Sequence, residues 1–359
     1  MPKSKGLLER ISEGETVICA EGYIFAFERL GYLKAGPFTP EVVVDHPELV
    51  KQMYTDFVRA GSDVVQAFTY YGNRHKLGVV GRAEELERQN RLALQMAREV
   101  ADSTGTLMCG DICNTFVYQP GNEGAIQETK DMFREQIEWA VDEGADFIVG
   151  ETFDHCGEAV LAAQVVKEYG RGVPAVITLA SHLTKTSDGK PCTVDGVEFN
   201  DALRQLEAAG ADVVGYNCTR GPGPVMTLVE SAIEAGIKTP LAALPVTYRT
   251  TEEHPSFLSI PDPVRGNIVF PVDLDCLLCS RSDIVEFGQR CAKLKIPYVG
   301  LCCGNSPHYT RVLAETLGRT TKASRFSPDM SLHGFYGTNK NKLNDYYSEN
   351  NSLYASYKK

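Results

Sequence analysis

The stretch Ala208-Ala-Gly-Ala-Asp-Val-Val-Gly-Tyr-Asn-Cys218 decides the fold. A helical segment ends at a glycine in a left-handed cap, a short turn follows, and an apolar β-run begins at once. The same phrase occurs as Arg59-Ala-Gly-Ser-Asp-Val-Val65 and Asp142-Glu-Gly-Ala-Asp-Phe-Ile148, so one physical cause recurs along the chain. Working outward, the repeating unit is a β-run, a polar turn and a helix with apolar residues at 3.6 spacing. Candidate strands are Thr16–Ala20, Asp63–Thr69, Thr106–Asp111, Asp146–Glu151, Ala175–Ala180, Asp212–Asn217, Leu241–Val246 and Tyr298–Cys302. Eight such runs fit a (β/α)8 TIM barrel, of the α/β class, better than an open sheet.

Helices are expected over Pro47–Ala60, Glu84–Asp102, Thr129–Glu143, Cys156–Glu168, Gly196–Ala209, Pro224–Ala235 and Ser306–Leu317. The connection Thr247–Asp283, rich in Pro, Ser, Asp and Thr, is long for a compact domain and is the expected lid. The barrel is expected over residues 6–318. Residues 319–359, polar with prominent Asn, Lys and Tyr, are expected to be an arm that packs on a neighbour.

Hydrophobic content of 43% and charged content of 23% suit a globular enzyme of 359 residues. A net charge of −11 argues against nucleic acid or an anionic membrane as the main partner. No apolar run approaches the roughly 20 residues that span a bilayer, and Met1-Pro-Lys-Ser-Lys-Gly has no signal core, so a cytoplasmic location is expected. The 11 cysteines are spread through strands and helices rather than gathered in a small loop-rich framework, which points to reduced thiols. Cys19, Cys109, Cys156 and Cys291 read as small buried hydrophobes.

Chemistry in such barrels gathers at the C-terminal strand ends. There, Tyr216-Asn-Cys218 and Gly300-Leu-Cys-Cys-Gly304 deliver three thiols from two strands. Adjacent cysteines cannot easily pair with each other, so Cys218, Cys302 and Cys303 either fill the core or hold a metal. As ligands they would occupy three corners of a tetrahedral zinc site and leave the fourth to a substrate thiol. Cys276-Leu-Leu-Cys279 is a competing metal or redox signal, weakened by its place in the long connection and the lack of a second such pair. Glu151 ends a strand and suits the ammonium of an amino-acid substrate, or a structural hydrogen bond. Phe38, Tyr70 and Tyr71 could cage a quaternary ammonium or sulfonium by cation–π attraction, or simply fill the core. Asp111 and Asn114 also fall at this face.

Several stretches resemble the betaine branch of the zinc-dependent homocysteine S-methyltransferase family. They are Gly6-Leu-Leu-Glu-Arg-Ile11, Lys34-Ala-Gly-Pro-Phe-Thr-Pro-Glu41, Gln66-Ala-Phe-Thr-Tyr-Tyr71, Gly150-Glu151, Val214-Gly-Tyr-Asn-Cys218 and Gly300-Leu-Cys-Cys-Gly304. The tail motif His333-Gly-Phe-Tyr-Gly337 is similar to the start of that branch's dimerisation arm. The resemblance implies Zn2+ held by Cys218, Cys302 and Cys303, with Glu151 catalytic and in contact with homocysteine. It also implies a methyl-donor pocket walled by Phe38, Tyr70 and Tyr71. Phe38 stands where the branch has tryptophan, Ala20-Glu21-Gly22 where the family has Asp-Gly-Gly, and Thr152 where the branch has tyrosine; Glu21, Gly22 and Thr152 therefore join the expected substrate contacts.

The expected reaction is direct methyl transfer from a cationic onium donor, glycine betaine or similar, to a thiol, homocysteine first. No glycine-rich nucleotide loop follows the first strand. The alternatives are a sulfonium donor such as S-methylmethionine or dimethylsulfoniopropionate, a different thiol, or a zinc- or onium-binding protein without turnover. From yet another class, the chain could be an interaction protein assembled through its tail. A homodimer or homotetramer is expected.

Overall fold

The β-runs are apolar on both faces, and strands of that kind must be covered on both sides. The computed structural model describes residues 5–346 other than 183, 252, 340, 343 and 345. Eight parallel strands close into a barrel in sequence order, β8 pairing back to β1. They are β1 Val17–Ala20, β2 Val64–Gln66, β3 Leu107–Cys113, β4 Phe147–Phe153, β5 Ala175–Ala180, β6 Val213–Asn217, β7 Leu241–Leu244 and β8 Tyr298–Leu301. The chain divides into two compact units, Met1–Thr321 and Lys322–Lys359. Residues 347–359, the end of the expected arm, lie outside the described residues.

Strand faces alternate between two cores. Val17, Cys19, Val64, Leu107, Cys109, Phe147, Val149, Val176, Val213, Ala242, Leu244 and Tyr298 fill one cluster with Leu7. Their neighbours Ile18, Val65, Met108, Ile148, Ile177, Val214, Ala243 and Val299 belong to the larger cluster shared with the helices. Cys19, Cys109, Cys156 and Cys291 are all buried, as small apolar side chains should be.

Two expected boundaries shift for local reasons. The run Asp63–Thr69 pairs only as far as Gln66, because Thr69 N–H turns back to Ala67 O at 2.8 Å. The helix expected from Thr129 begins at Glu123, where Asn122 Oδ1 accepts from Ala125 N–H at 3.2 Å and caps it. The long connection is tied down by short 3-10 turns, Phe257–Ser259 and Leu274–Leu277. It ends at the helix Arg281–Leu294, opened by a Ser280/Asp283 capping box.

The repeated Gly-(Ser/Ala)-Asp phrase does more than end helices. Gly61, Gly144 and Gly210 have φ of 123°, 84° and 88°. The aspartate two residues later then clamps the preceding strand. Asp63, Asp146 and Asp212 each accept with Oδ2 from the backbone N–H of Ile18, Met108 and Ala175, at 2.8 Å in all three cases. Each also donates its own N–H to the carbonyl of that same residue, at 2.7, 2.8 and 2.8 Å. A cation completes every clamp: Arg10 at 3.2 Å, Arg98 at 3.0 Å and Lys167 at 2.7 Å. The phrase thus welds β1 to β2, β3 to β4 and β5 to β6 at the end of the barrel opposite the expected site.

Asp146→Ala leaves the buried Met108 N–H without an acceptor and should cost about 2 kcal/mol, whereas Asp146→Asn, which keeps an oxygen there, should cost less. Urea unfolding midpoints measure this; equal midpoints for wild type and Asp146→Ala would refute the clamp.

Candidate metal and substrate site

The barrel delivers three sulfurs to one point. Cys218 follows β6, and Cys302 and Cys303 follow β8. Cys218 Sγ lies 3.5 Å from Cys303 Sγ, Cys303 Sγ lies 3.9 Å from Cys302 Sγ, and all three fall within 4.8 Å of one another. Tetrahedral zinc with Zn–S bonds of about 2.3 Å has ligand–ligand edges of roughly 3.8 Å, so the donor set fits that ion with one corner open. Thiol protons from Cys302 and Cys303 hold Cys218 well below the ordinary thiol pKa, and sharing with Cys218 pushes both of them up.

The backbone fixes this point from several sides. Cys218 N–H donates to Leu244 O at 3.0 Å, and Cys302 N–H to Pro245 O at 2.8 Å. Gly22, at φ 86°, passes directly over the cysteine turn: a Cβ there would stand 2.3 Å from Cys302 O and 2.5 Å from Cys302 C. Only glycine satisfies both the left-handed conformation and that approach.

Beside the sulfurs is a narrow well of about 20 Å³, in which the polar side chains Gln66, Asp111, Glu151 and Thr152 stand among the largely apolar walls of Tyr23, Ile24, Phe68 and Tyr70, with Cys302 and Cys303. Glu151 is held there on both oxygens. Gln66 Nε2 donates to Oε1 at 2.7 Å; Asn217 Nδ2 at 2.7 Å and Thr152 Oγ1 at 3.0 Å donate to Oε2. Glu21, buried beside it, accepts from Asn217 Nδ2 at 3.3 Å. Asn217 Oδ1 in turn accepts from Thr152 N–H at 2.8 Å and Thr178 Oγ1 at 2.9 Å. Burial and the neighbouring Glu151 carboxylate push Glu21 and Asp111 well above the usual carboxyl range; burial also raises Glu151.

Above the sulfurs opens a chamber of about 190 Å³, mostly aromatic, whose lining includes Phe25, Phe38, Tyr70, Tyr71, Phe116 and Phe257 together with Cys218 and Cys303. The Tyr70 and Tyr71 rings are 4.2 Å apart, and Phe116 meets Tyr71 edge-on at 5.4 Å. Lys76 Nζ lies 4.3 Å from the Tyr71 ring centroid and 5.0 Å from that of Phe116, a cation–π contact made by the chain itself. Burial raises the pKa of both tyrosines, so their phenols stay neutral. Among the described residues, eight non-glycine positions have positive φ, and six of them, Phe38, Tyr71, Phe116, Thr152, Cys218 and Thr219, line this chamber. Strain of that kind persists where the surrounding fold overdetermines it, and it concentrates at functional sites.

The sequence profile of the homocysteine S-methyltransferase family matches residues 25–317. The chain belongs to that family. It is a methyltransferase. Among curated relatives, betaine–homocysteine S-methyltransferase 1 of Xenopus tropicalis is 34% identical over 343 residues, covering 93% of this chain and 80% of the relative. S-methylmethionine–homocysteine S-methyltransferase of Mus musculus is 32% identical, covering 94% and 87%. The homocysteine methyltransferase MmuM from Escherichia coli, in its metallated form, shares the fold with a TM-score of 0.63 at 15% identity, covering 86% of this chain and 99% of that one.

In this family member every expected site residue falls at the barrel mouth. Gly22, Glu151 and Thr152 line the well, with Glu21 buried against them, while Phe38, Tyr70, Tyr71 and Thr152 line the chamber. The Cys276/Cys279 pair lies elsewhere: Cys276 is exposed, and Cys279 lines a separate cleft with Arg249 and Asp283. The long connection supplies Phe257, Leu258 and Phe270 to the chamber wall. Sequence reasoning assigned no role to Gln66, Asn217, Phe116, His182 or Asp111. Of these, Asp111 carried a usable signal, a lone carboxylate inside the apolar run Leu107–Cys113. Among the described residues, no helix is long and apolar enough to cross a membrane.

Gly22→Ala should push the Cys302–Cys303 turn away and weaken the cluster's affinity for added Zn2+, used as the probe metal, by roughly tenfold or more. Competition with a chromophoric chelator reads this, and unchanged affinity would show that the Gly22 approach does not shape the thiol cluster.

Proposed function

We propose that this chain is a zinc-dependent S-methyltransferase that moves a methyl group from a cationic onium donor, glycine betaine or a close analogue, to the thiol of homocysteine. One observation carries the reading: the well beside the sulfurs and the aromatic chamber share Ile24, Tyr70, Thr152 and Cys303 as common wall. A thiol in the well and an onium group in the chamber therefore meet at the sulfur cluster. Relatives named for betaine and for S-methylmethionine as donor support an onium substrate.

Cys218, Cys302 and Cys303 would hold the ion. Zinc bound there supplies Lewis acidity that keeps the acceptor sulfur as a thiolate at neutral pH. Glu151, its carboxylate fixed by Gln66, Asn217 and Thr152, takes the acceptor's ammonium and sets the direction of the chain. The π faces of Tyr70, Tyr71, Phe38 and Phe116 hold the onium centre, and their neutral phenols and apolar edges offer it no competing anion. The thiolate attacks one methyl carbon in line. The C–S bond forms as the C–N bond breaks, its electron pair leaving with the neutral amine. Charge disappears in this step, so a chamber that excludes water favours it. His182, Asn114 and Thr219 are among the chamber's polar groups able to receive a donor's carboxylate, and Asp154 is the chamber's own anion.

Carbon NMR of the zinc-loaded protein with homocysteine and methyl-labelled betaine, S-methylmethionine and dimethylsulfoniopropionate tests the reaction. Label should appear in methionine, and the donor that is consumed names the substrate; no transfer from any donor by zinc-replete protein would sink the reading. Phe116→Ala should raise the donor KM by about five- to tenfold, the loss of one cation–π wall, and leave the homocysteine KM within about twofold. A larger effect on homocysteine would place Phe116 outside the donor chamber.

A further inference from the structure

Three aromatic walls of the chamber stand on irregular chain. Phe38 lies between the short helices Tyr23–Arg29 and Val42–Asp45, and Tyr70 and Tyr71 come after β2 has ended at Gln66. Phe38 and Tyr71 are held at φ of 54° and 56°, a conformation that a bulky side chain keeps only where its surroundings fix it. Three buried carboxamides on two neighbouring helices supply that fixing.

Gln89 and Asn90 are consecutive residues of the helix Leu86–Thr104, and Gln136 belongs to the helix Glu123–Asp142. All three are buried, and none of them lines the chamber. Gln89 Nε2 donates to Pro40 O, two residues beyond Phe38. Asn90 Nδ2 donates to Gly72 O at 2.7 Å, immediately beyond Tyr71, and to Leu86 O of its own helix at 2.8 Å. Gln136 Nε2 donates to Asn90 Oδ1 at 3.0 Å and reaches Gly72 O at 3.3 Å and Thr69 O at 3.4 Å, the carbonyls on either side of the tyrosine pair. A carbonyl oxygen only accepts, so the amide nitrogens must face these loops. From the barrel side the same turn is tied by Thr69 Oγ1, which donates to Asp111 O at 2.6 Å.

Packing between helices alone would be met by apolar side chains at these positions, without the desolvation that a buried amide incurs. Instead, all three carboxamides direct N–H groups at the carbonyls of two loops, and each loop carries an aromatic wall. We propose that Gln89, Asn90 and Gln136 are positioning residues for methyl transfer. Residues 89 and 90, adjacent on one turn of helix, fix the Phe38 wall and the Tyr70–Tyr71 wall together and so set the distance across which the onium group is held. Cation–π attraction needs the cation within about 6 Å of the ring centroid, and attack needs the reacting atoms about 3–3.5 Å apart. Slack in either wall therefore weakens both the hold on the donor and its aim at the sulfur. This inference rests on the reading of the chamber as the onium site.

The test is steady-state transfer by zinc-loaded full-length protein, using whichever of the three methyl-labelled donors the wild type consumes. Gln89→Met and Gln136→Met nearly keep the side-chain volume and remove the N–H groups. Each should raise the donor KM by about fivefold or more and lower kcat by about threefold or more, with zinc stoichiometry unchanged and the homocysteine KM within about twofold. Asp146→Ala, which loosens the opposite end of the barrel, is the control for instability, and its donor KM should stay within about twofold of wild type. If either methionine variant keeps the wild-type donor KM and kcat, if its loss extends equally to zinc or homocysteine, or if Asp146→Ala raises the donor KM as much, the carboxamides only pack the helices. The inference is then overturned and the methyltransferase reading stands. If zinc-loaded wild type transfers no methyl group from any of the three donors, the onium-site reading falls, and the inference with it.

Discussion

The mouth of the barrel depends on one carboxamide. Asn217, the last residue of β6, spends its nitrogen on the carboxylates of Glu151 and Glu21 and its oxygen on Thr152 N–H and Thr178 Oγ1. The next residue in the chain is Cys218, so the group that orders the acid floor is covalently joined to one of the clustered sulfurs. An amide can do this because it donates and accepts at once; a carboxylate in its place would have no N–H to give Glu151 and Glu21, and an apolar side chain would release Glu151. The spacing between floor and sulfurs is thereby set by the backbone rather than by flexible side chains.

That precision is offset by strain. Six non-glycine residues around the chamber are held in left-handed conformations that cost on the order of 1 kcal/mol each. The opposite end of the barrel is built differently. There the repeated aspartate clamps join neighbouring strands in pairs, each satisfying a strand N–H that would otherwise be buried and unpaired. A rigid base of that kind lets the strand ends diverge from ordinary geometry without loosening the sheet.

Legibility follows the same division. The glycine of each Gly-(Ser/Ala)-Asp phrase announced a helix end because its conformational demand is local, whereas the work of the aspartate was hidden because its partner lies on the preceding strand. The three cysteines were visible from spacing alone, since strand ends of a closed barrel converge whatever their order in sequence. The chamber was only half legible. Tyr70 and Tyr71 adjoin a strand, but Phe116 comes from an irregular loop, and Phe257 and Phe270 come from a connection whose path no periodicity reveals. The neighbourhood of Asp111 and Glu151 likewise depends on the register between β3 and β4, which sets Asp111 opposite Val149 and Cys113 opposite Glu151.

The end of β1 carries its acid one residue later than the resemblance leads one to expect. Ala20 closes the strand, where the resemblance leads one to expect aspartate, and Glu21 stands one residue further on. In a continuing strand that shift would turn the side chain to the opposite face. Here the chain leaves the sheet at Ala20, with Glu21 N–H still bonded to Leu301 O at 3.4 Å and Gly22 already left-handed over the cysteine turn. The turn carries the longer glutamate side chain back toward Asn217, 3.3 Å away. A carboxylate is thus present at the floor but enters from a different backbone position, and Asp111 adds another from β3.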